Sequence, residues 1–476
     1  MPDYVREEDC LTMVRDFYDK YVDPNRPLNQ RQRDIFLQSL RVARQGKDDE
    51  EEEVAQPRFK VDIKSLPIGM RESLKPYPEE FWMPLLIGLL PIQMALADQV
   101  RAKYCNRRYL YLGGMSIIVG EQSGNKTVIE EIVDTWLEGI REEDDKVRQE
   151  EDAVRSFNRN RKGNERARPE PTGVVRVVPI TISCSKLLKR LKRSQGHCLI
   201  SFATEADTLL KSNGQGAWSQ KYDIYRCSFS RERWGTDYNS DASESGEVPV
   251  AYNWTILGTR GQVMNMFSGR LESNVENGLS ARVMLSSMPD NSFKKIPVFK
   301  ELSDYDRERI KLAVDLLRNA SGDYETPRLR AAFDQWLEEK RVIASASADK
   351  CMDVYRRRAA VIGFKAGVVF MLLCGKESKA CIDYALLIAE YTLYQQTRMF
   401  GALLMKQYRK SSEYVGAGTI NGNVLDQLPS PFTMDHLRQL KGEEYADGTL
   451  YSIISRWKSD GWIKKNGKNS WIKMPR

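Results

Sequence analysis

The sequence contains few of the residues from which metal centres and disulfide frameworks are built. Only two of its 476 residues are histidine, His197 and His436, and none of its eight cysteines forms a C-x-x-C pair. The scarcity of histidine excludes a His-rich metal site, and the cysteine spacing lacks the usual zinc and thioredoxin signatures. We interpret the cysteines as reduced thiols that pack within the fold. They are Cys10, Cys105, Cys184, Cys198, Cys227, Cys351, Cys374 and Cys381.

Long apolar segments are missing as well. Residues 1–9 carry acids and no apolar core, which predicts no signal peptide. The longest apolar run, residues 359–374, is too short to span a bilayer, and Lys365 interrupts it. Because charged residues make up 29% of the chain, we expect a cytoplasmic protein without a membrane partner. The formal net charge of +7 weakly favours a polyanionic partner.

Apolar periodicity predicts an α/β fold with a mostly parallel sheet, because predicted strands alternate with predicted helices. The mixed-charge residues 141–171 predict an exposed extension or a mobile insert. Residues 303–409 are predicted to be helical almost throughout, and residues 415–431 to form a linker. The predicted strands cover residues 109–120, 174–183, 197–203, 252–257 and 281–286, and the predicted core helices cover residues 127–140 and 186–193.

This pattern divides the chain into four predicted parts. They are a helical segment with an acidic linker (1–57), a P-loop ATPase core with a helical lead-in (58–300), a helical domain (301–414) and a winged-helix-like domain (432–476).

The most informative segment is G-E-Q-S-G-N-K-T, residues 120–127. It follows a predicted strand and precedes a predicted helix, which is the context that a phosphate-binding loop needs. Backbone amides of such a loop and the positive end of the helix dipole face phosphate oxygens. We therefore expect this loop to bind ATP through Gly120, Gly124, Asn125, Lys126 and Thr127. Lys126 would reach the β and γ phosphates, and the Thr127 hydroxyl would bind Mg²⁺.

Asn125 departs from the usual pattern, because glycine is customary at that position. Asparagine is the non-glycine residue that best tolerates a positive φ, so the loop can still form. A chance strand-to-helix turn is the alternative interpretation of the whole segment.

A P-loop ATPase also needs a carboxylate after a neighbouring strand. Glu205 follows the predicted strand 197–203 and is our candidate for holding Mg²⁺ and orienting water, with Asp207 as a second choice. Residues 258–262 could sense the γ-phosphate or form an ordinary turn. Arg282 could act as an arginine finger, in cis or across a subunit boundary, or could be a surface or ion-paired arginine.

Two basic regions could contact nucleic acid. The helix over residues 186–193 carries five lysines and arginines, although such faces are often merely solvated. Residues 432–476 resemble a winged helix, with two predicted helices and then a hairpin around residues 466–469. Lysines would ring the wing, and the alternative is a protein-docking winged helix.

The order of these motifs resembles a broad bacterial domain-of-unknown-function family from phages, plasmids and integrative mobile elements. Its members look like RecA-type ATPases related to the helicase half of primase–helicases, and the resemblance spans residues 66–404. It implies a homo-oligomeric motor, for example a hexamer, that acts on DNA. By this resemblance Lys126 and Thr127 match the end of Walker A, Glu205 the Walker B acid, and Arg282 a later arginine.

The function that we expect is an ATP-dependent, helicase-like DNA motor in replication of a mobile element. Because residues 1–57 are too few for a primase module, a separate primase or replication protein is an expected partner. Two alternatives remain open: a nucleotide-gated DNA-binding initiator or loader, and a catalytically inactive assembly factor.

Overall fold

The computed structural model describes residues 59–122, 124–162, 164–206, 218–237, 244–267, 275, 278–291, 293–347, 349–441, 447–459, 462–467 and 469–474. The chain divides into two compact units, Met1–Lys60 and Val61–Arg476, and every element below belongs to the second. The helical segment and acidic linker predicted for residues 1–57 lie outside the described residues.

The first part of this unit contains both helices and strands. They are α1 (Met70–Leu74), α2 (Trp82–Leu96), β1 (Gln99–Lys103), β2 (Tyr109–Tyr111), β3 (Met115–Val119), α3 (Thr127–Asn160), α4 (Cys184–Arg193), β4 (Leu199–Ala203), α5 (Trp218–Ser230), β5 (Arg233–Thr236), β6 (Gly246–Pro249), β7 (Tyr252–Gly258), α6 (Arg260–Phe267) and β8 (Met284–Ser287).

Four of these strands form the main sheet, which is parallel throughout, in the order β4-β7-β3-β8. Every residue of β3 and β7 is buried, as expected for parallel strands covered on both faces. Helix α2 packs on this sheet, and each of its residues after Trp82 is buried. A helix that is apolar all round belongs in a core. The predicted α/β class with a parallel sheet is therefore confirmed.

The strand predicted for residues 174–183 is wrong. That segment makes a single parallel bridge, between Val177 and Ile200, beside β4. Two backbone hydrogen bonds flank this bridge, from the Val178 amide to the Ile200 carbonyl at 2.9 Å and from the Ile200 amide to the Arg176 carbonyl at 2.8 Å. The pairing with β4 extends no further, and the Ser201 hydroxyl donates to the Val178 carbonyl.

Residues 141–171 are exposed over most of their length, which agrees with the predicted exposed extension. The alternative, a mobile insert, is wrong for residues 141–160, where α3 continues to Asn160. Buried polar contacts hold its charged half in place. Both carboxylate oxygens of Asp144 accept backbone amides, from Arg176 at 2.8 Å and from Val177 at 2.6 Å. Further along, Glu151 pairs with Arg190 of α4.

The second part is mainly helical and ends in a small unit. Its elements are α7 (Asp304–Asn319), β9 (Ser321–Tyr324), α8 (Pro327–Ala346), α9 (Lys350–Cys374), α10 (Lys379–Gln427), β10 (Phe432–Thr433), α11 (Met434–Lys441), α12 (Asp447–Ser459), β11 (Ile463–Lys465) and β12 (Ser470–Lys473).

Helices α9 and α10 form the largest helical contact of the unit. A Cβ atom on Gly363 would lie 2.5 Å from the Ala385 carbonyl, so glycine permits the close approach. Strand β9 pairs in parallel with β1, which joins residues on either side of the predicted boundary at residue 300. Helix α10 continues to Gln427, through most of the predicted linker at residues 415–431.

The small C-terminal unit, residues 432–473, has two helices followed by the antiparallel hairpin β11–β12, and β10 pairs with β12. Its core includes Phe432, Trp457 and Trp471. Trp471 is buried there. Across the part of the chain that is described, no helix combines the length and apolarity that a membrane crossing requires.

Candidate phosphate-binding site

The carboxyl ends of the four parallel strands lie at one edge of the main sheet, which we call the loop edge. The register places Val119 opposite both Gly258 and Ser287, and Ala203 opposite Ile256. The residues that follow each strand therefore converge at this edge. Ligands of open parallel sheets bind outside the carboxyl ends of the strands.

The loop that follows β3 is held tightly at its start. The Gly120 amide donates to the Gly258 carbonyl at 2.9 Å, which continues the pairing with β7. A Cβ atom on Gly120 would lie 2.9 Å from Met288 Cγ and 3.2 Å from Lys126 Cδ. A side chain at this position would force Met288 or Lys126 to move, so glycine permits their close approach. Nothing in the sequence singles out Met288, which closes the loop from the far side.

Asn125 has a φ of 54° and so occupies the left-handed region. The sequence-based expectation that asparagine can take the place of glycine in this loop is confirmed for its backbone. The Gly124 amide donates to the Glu121 carbonyl at 3.1 Å and closes the preceding turn. A Cβ on Gly124 would lie 2.9 Å from the same oxygen.

The Lys126 ammonium lies inside the loop. Its Nζ donates to the carbonyl oxygens of Gly120 at 3.0 Å and Glu121 at 3.2 Å. Burial lowers the pKa of Lys126, and the carboxylates of Glu121 and Glu205 oppose that shift. A cation held by neutral carbonyls can exchange them for phosphate oxygens, which bind it more strongly.

The start of α3 provides further donors. Helix α3 begins at Thr127 without a side-chain cap. Among the described residues, no partner accepts the amides of Asn125, Lys126 or Thr127. Three consecutive unpaired amides beside an ammonium form a cradle for an anion at the positive end of the helix dipole. The residues present therefore fit a phosphate chain.

Glu205 is brought to the same edge by the end of β4. Ala206 is fully buried and packs closely on Gly258 of β7. A Cβ atom added to Gly258 would lie only 2.8 Å from the Ala206 Cβ. Gly258 in turn binds the Gly120 amide, so Glu205 stands one strand away from the loop. Its carboxylate is exposed and close enough to act on the pKa of Lys126. Asp207, the second choice, lies outside the described residues.

Thr259 and Gln262 have a structural role at the start of α6. The Thr259 amide donates to Gln262 Oε1 at 2.9 Å, and the Gln262 amide donates to Thr259 Oγ1 at 3.4 Å. This reciprocal pair caps the helix. The geometry favours the ordinary turn over the sensing of a γ-phosphate.

Arg282 lies at the opposite, amino-terminal edge of the sheet. It ends a 3-10 turn just before β8, whose first residue, Met284, pairs with Ser116. Its Nη1 donates to the Gly278 carbonyl at 2.8 Å. Burial and the guanidinium of Arg358 lower the pKa of Arg282 to about 10. Within one chain the structure does not bring Arg282 to Lys126, so the cis interpretation fails; action across a subunit boundary stays a prediction.

The basic helix α4 is largely neutralised. Four of its five lysines and arginines pair with glutamates from three other segments, which leaves little free charge for a nucleic-acid backbone. The pairs are Lys189 and Arg193 with Glu170, Arg190 with Glu151, and Lys192 with Glu244.

A polar cavity of about 570 Å³ also lies away from the loop edge. Asp98, at its wall, accepts Arg176 Nη2 at 2.8 Å, the Cys198 amide at 2.8 Å and His197 Nδ1 at 3.2 Å. Glu143 binds Arg318 through two bonds. Because these groups satisfy one another, the cavity is a structural polar network, and the chemistry predicted from the sequence lies elsewhere.

Within the described residues, no group of three or more histidine, cysteine, aspartate or glutamate side chains is placed to hold a metal ion. A comparison with protein-family models finds no family that matches the chain. A search of curated proteins likewise finds no match.

Proposed function

We propose that this protein binds ATP with Mg²⁺ on the loop of residues 120–127 and hydrolyses it with the help of Glu205. One observation carries the proposal: Lys126 and Glu205, from distant parts of the sequence, both follow strands that end at the loop edge, and the Glu205 carboxylate acts to raise the pKa of Lys126. An exposed acid and a half-buried ammonium beside three unpaired amides are the groups that phosphoryl transfer to water requires.

Each residue has a distinct role in this proposal. Lys126 and the amides of residues 125–127 hold the phosphate chain. The Thr127 hydroxyl and the Glu205 carboxylate would hold Mg²⁺, which neutralises charge on the γ-phosphoryl group that ATP supplies. The Glu205 carboxylate also accepts a hydrogen bond from the attacking water and so orients it. Since no protein residue becomes covalently modified, the contribution of the chain is positioning and electrostatics.

We further propose that hydrolysis drives movement along DNA, in a homo-oligomer that replicates a mobile element. The resemblance in motif order supports this. In the sheet, one strand, β7, lies between the loop-bearing β3 and the acid-bearing β4. The small C-terminal unit adds a winged-helix-like order of elements, with exposed Lys464 and Lys465 on its hairpin.

A second candidate function is a nucleotide-gated initiator or loader that binds ATP without turnover. The bonds from Lys126 to the carbonyls of Gly120 and Glu121 favour it, because they must be exchanged before the ammonium can stabilise a transition state. An inactive assembly factor would lack ATP binding altogether.

The test is a set of binding and turnover measurements on the full chain. Binding of a fluorescent ATP analogue and release of phosphate would be measured with Mg²⁺, with and without single-stranded DNA. Lys126→Ala should abolish binding, while Glu205→Gln should retain binding and lose about 100-fold or more in turnover. Glu138→Gln, at an exposed position of α3, is the matched control and should behave as wild type.

The outcomes separate the candidates. Turnover that DNA stimulates supports the motor, and tight binding without turnover selects the initiator or loader. If wild type and Lys126→Ala bind the analogue equally weakly, while thermal melting shows that both are folded, the nucleotide proposal is wrong.

A further inference from the structure

A short segment at the loop edge projects large apolar and basic side chains into solvent. Phe293 and Val298 have relative exposures of 110% and 89%, and Ile296 is exposed to 85%. Lys294 and Lys295 are exposed between them. We call residues 293–298 the projecting segment. Single exposed apolar residues are ordinary, whereas three in six residues indicate a binding surface.

Both ends of this segment are anchored to the core. On the N-terminal side, the Met288 amide donates to the Val119 carbonyl at 2.7 Å. On the C-terminal side, the Phe299 ring lies 5.3 Å from the rings of both Tyr77 and Phe81, in edge-to-face geometry. The next amide, that of Lys300, donates to the Pro76 carbonyl at 3.0 Å. The chain is therefore anchored to the core five residues before the projecting segment and again directly after it.

Phe293 is presented on a strained turn. Its φ of 60° lies in the left-handed region, where a bulky residue is an outlier. Holding an aromatic residue there is costly, and the exposed ring recovers none of that cost by packing. Such strain is common in ligand clamps.

We propose that the projecting segment grips single-stranded nucleic acid, with Phe293 stacking on a base and Lys295 contacting the phosphate backbone. An aromatic ring next to cations is the combination that binds single strands without sequence preference. Charge favours this partner, because residues 290–300 contain three lysines against one aspartate. The Lys294 ammonium is partly engaged, since it donates to the Asp290 carbonyl at 2.8 Å.

This inference rests on the proposed function, because it names the surface through which nucleotide binding would reach DNA. Met288, which begins the connection to the projecting segment, packs against Gly120 of the loop. Phosphate binding would displace the Lys126 ammonium from the Gly120 carbonyl. This change would occur directly beside the contact between Met288 and Gly120. The affinity for a single strand should therefore differ between nucleotide-bound and nucleotide-free protein.

The binding test uses the full chain and a fluorescein-labelled oligothymidylate, followed by anisotropy. Phe293→Ala should weaken binding roughly 5- to 150-fold, the range found for loss of one stacked base. Lys295→Gln should lower the slope of log affinity against log salt by about 0.7. The matched controls on α7 are Tyr305→Ala, which removes another exposed aromatic ring, and Lys311→Gln; neither should change binding.

A second measurement locates the contact. Phe293 would be replaced by the photo-crosslinking residue p-benzoyl-phenylalanine, and the products analysed with and without the oligonucleotide. A protein–DNA adduct supports the proposal, whereas an adduct between two copies of the chain identifies the segment as an assembly contact and overturns it. Equal affinities of wild type and Phe293→Ala also overturn it.

The failure of this inference can be told from failure of the proposed function. ATP-analogue binding by Phe293→Ala should equal that of wild type, because the ring does not touch the loop. If Phe293→Ala binds DNA with wild-type affinity and keeps nucleotide binding and DNA-stimulated turnover, only the DNA-binding role of the projecting segment is excluded. If wild type binds no single strand at all, both the grip and the DNA-motor role are refuted.

Discussion

Lys365 is a fully buried lysine whose charge can be tested by its effect on stability. It lies in α9, and its ammonium donates to the carbonyls of Gly113 at 2.8 Å and Phe229 at 2.6 Å. The Phe229 ring centroid is 3.9 Å away. Burial, with Arg358 and Arg282 nearby, lowers the pKa of Lys365 from its ordinary 10.5 to about 7. No carboxylate among the described residues pairs with it.

The sign of the pH effect follows from proton binding. Between about pH 7 and pH 10.5 the unfolded chain holds the Lys365 proton and the folded chain does not. Stability therefore rises with pH across this window, with a slope close to 1.4 kcal/mol per pH unit where the two states differ by a whole proton. Below pH 7 both states hold the proton and the contribution is constant.

The perturbation is Lys365→Met, which keeps the length of the side chain and removes the titration. The free energy of unfolding of wild type minus that of the variant should rise by about 1.3 kcal/mol from pH 8 to pH 9. The window stops at pH 9 because Arg282, with a pKa of about 10, begins to titrate above it. The assay is equilibrium unfolding in urea followed by tryptophan fluorescence.

Lys379→Met is the matched control, because that lysine is exposed on α10 and its difference from wild type should stay flat. A flat difference for Lys365→Met would refute the reasoning. It would mean that the two carbonyls and the Phe229 ring stabilise the charged ammonium as well as water does.

Three further predictions concern the loop, the neighbouring acid and the C-terminal core. Asn125→Gly should keep or raise stability, whereas Asn125→Val should lose about 1–2 kcal/mol, since valine is strained at φ 54°; thermal melting distinguishes them. Gly258→Ala should push Ala206 away and displace Glu205, so that turnover falls more than ATP-analogue binding; equal losses would contradict this. Trp457→Ala should cost about 3–5 kcal/mol, while Trp457→Phe should cost less, because the indole Nε1 has no partner in the described structure; urea unfolding measures both.

The sequence predicts the elements of the sheet well where burial and chain punctuation agree. Strands β4 and β7 fall within a residue or two of their predicted bounds, because apolar runs there end in polar turns. Residues 174–183 show why the same signal fails elsewhere. They pair with the backbone of β4 only at Ile200, while the Ser201 side chain binds the Val178 carbonyl. An apolar pattern does not reveal which partner a carbonyl has.

The charged half of α3 escapes prediction for a related reason. Its composition resembles a solvated segment, yet Asp144 is buried because two backbone amides from a distant segment bind it. Such a contact depends on the arrangement of the sheet and leaves no periodic trace. The loop itself is local, so its turn and its left-handed asparagine follow from residues 120–127 alone.

The two edges of the sheet differ in charge, and this bears on Arg282. At the loop edge Lys126 stands near two carboxylates, Glu121 and Glu205. At the amino-terminal edge Arg282, Arg358 and Lys365 act on one another, and none of the three forms an ion pair with a described carboxylate. The Glu232 carboxylate acts to raise the pKa of Arg282 but forms no ion pair with it among the described residues. A cluster of cations is costly unless anions neutralise it. If Arg282 serves catalysis, the anion must come from a second chain, because the sheet separates it from its own loop.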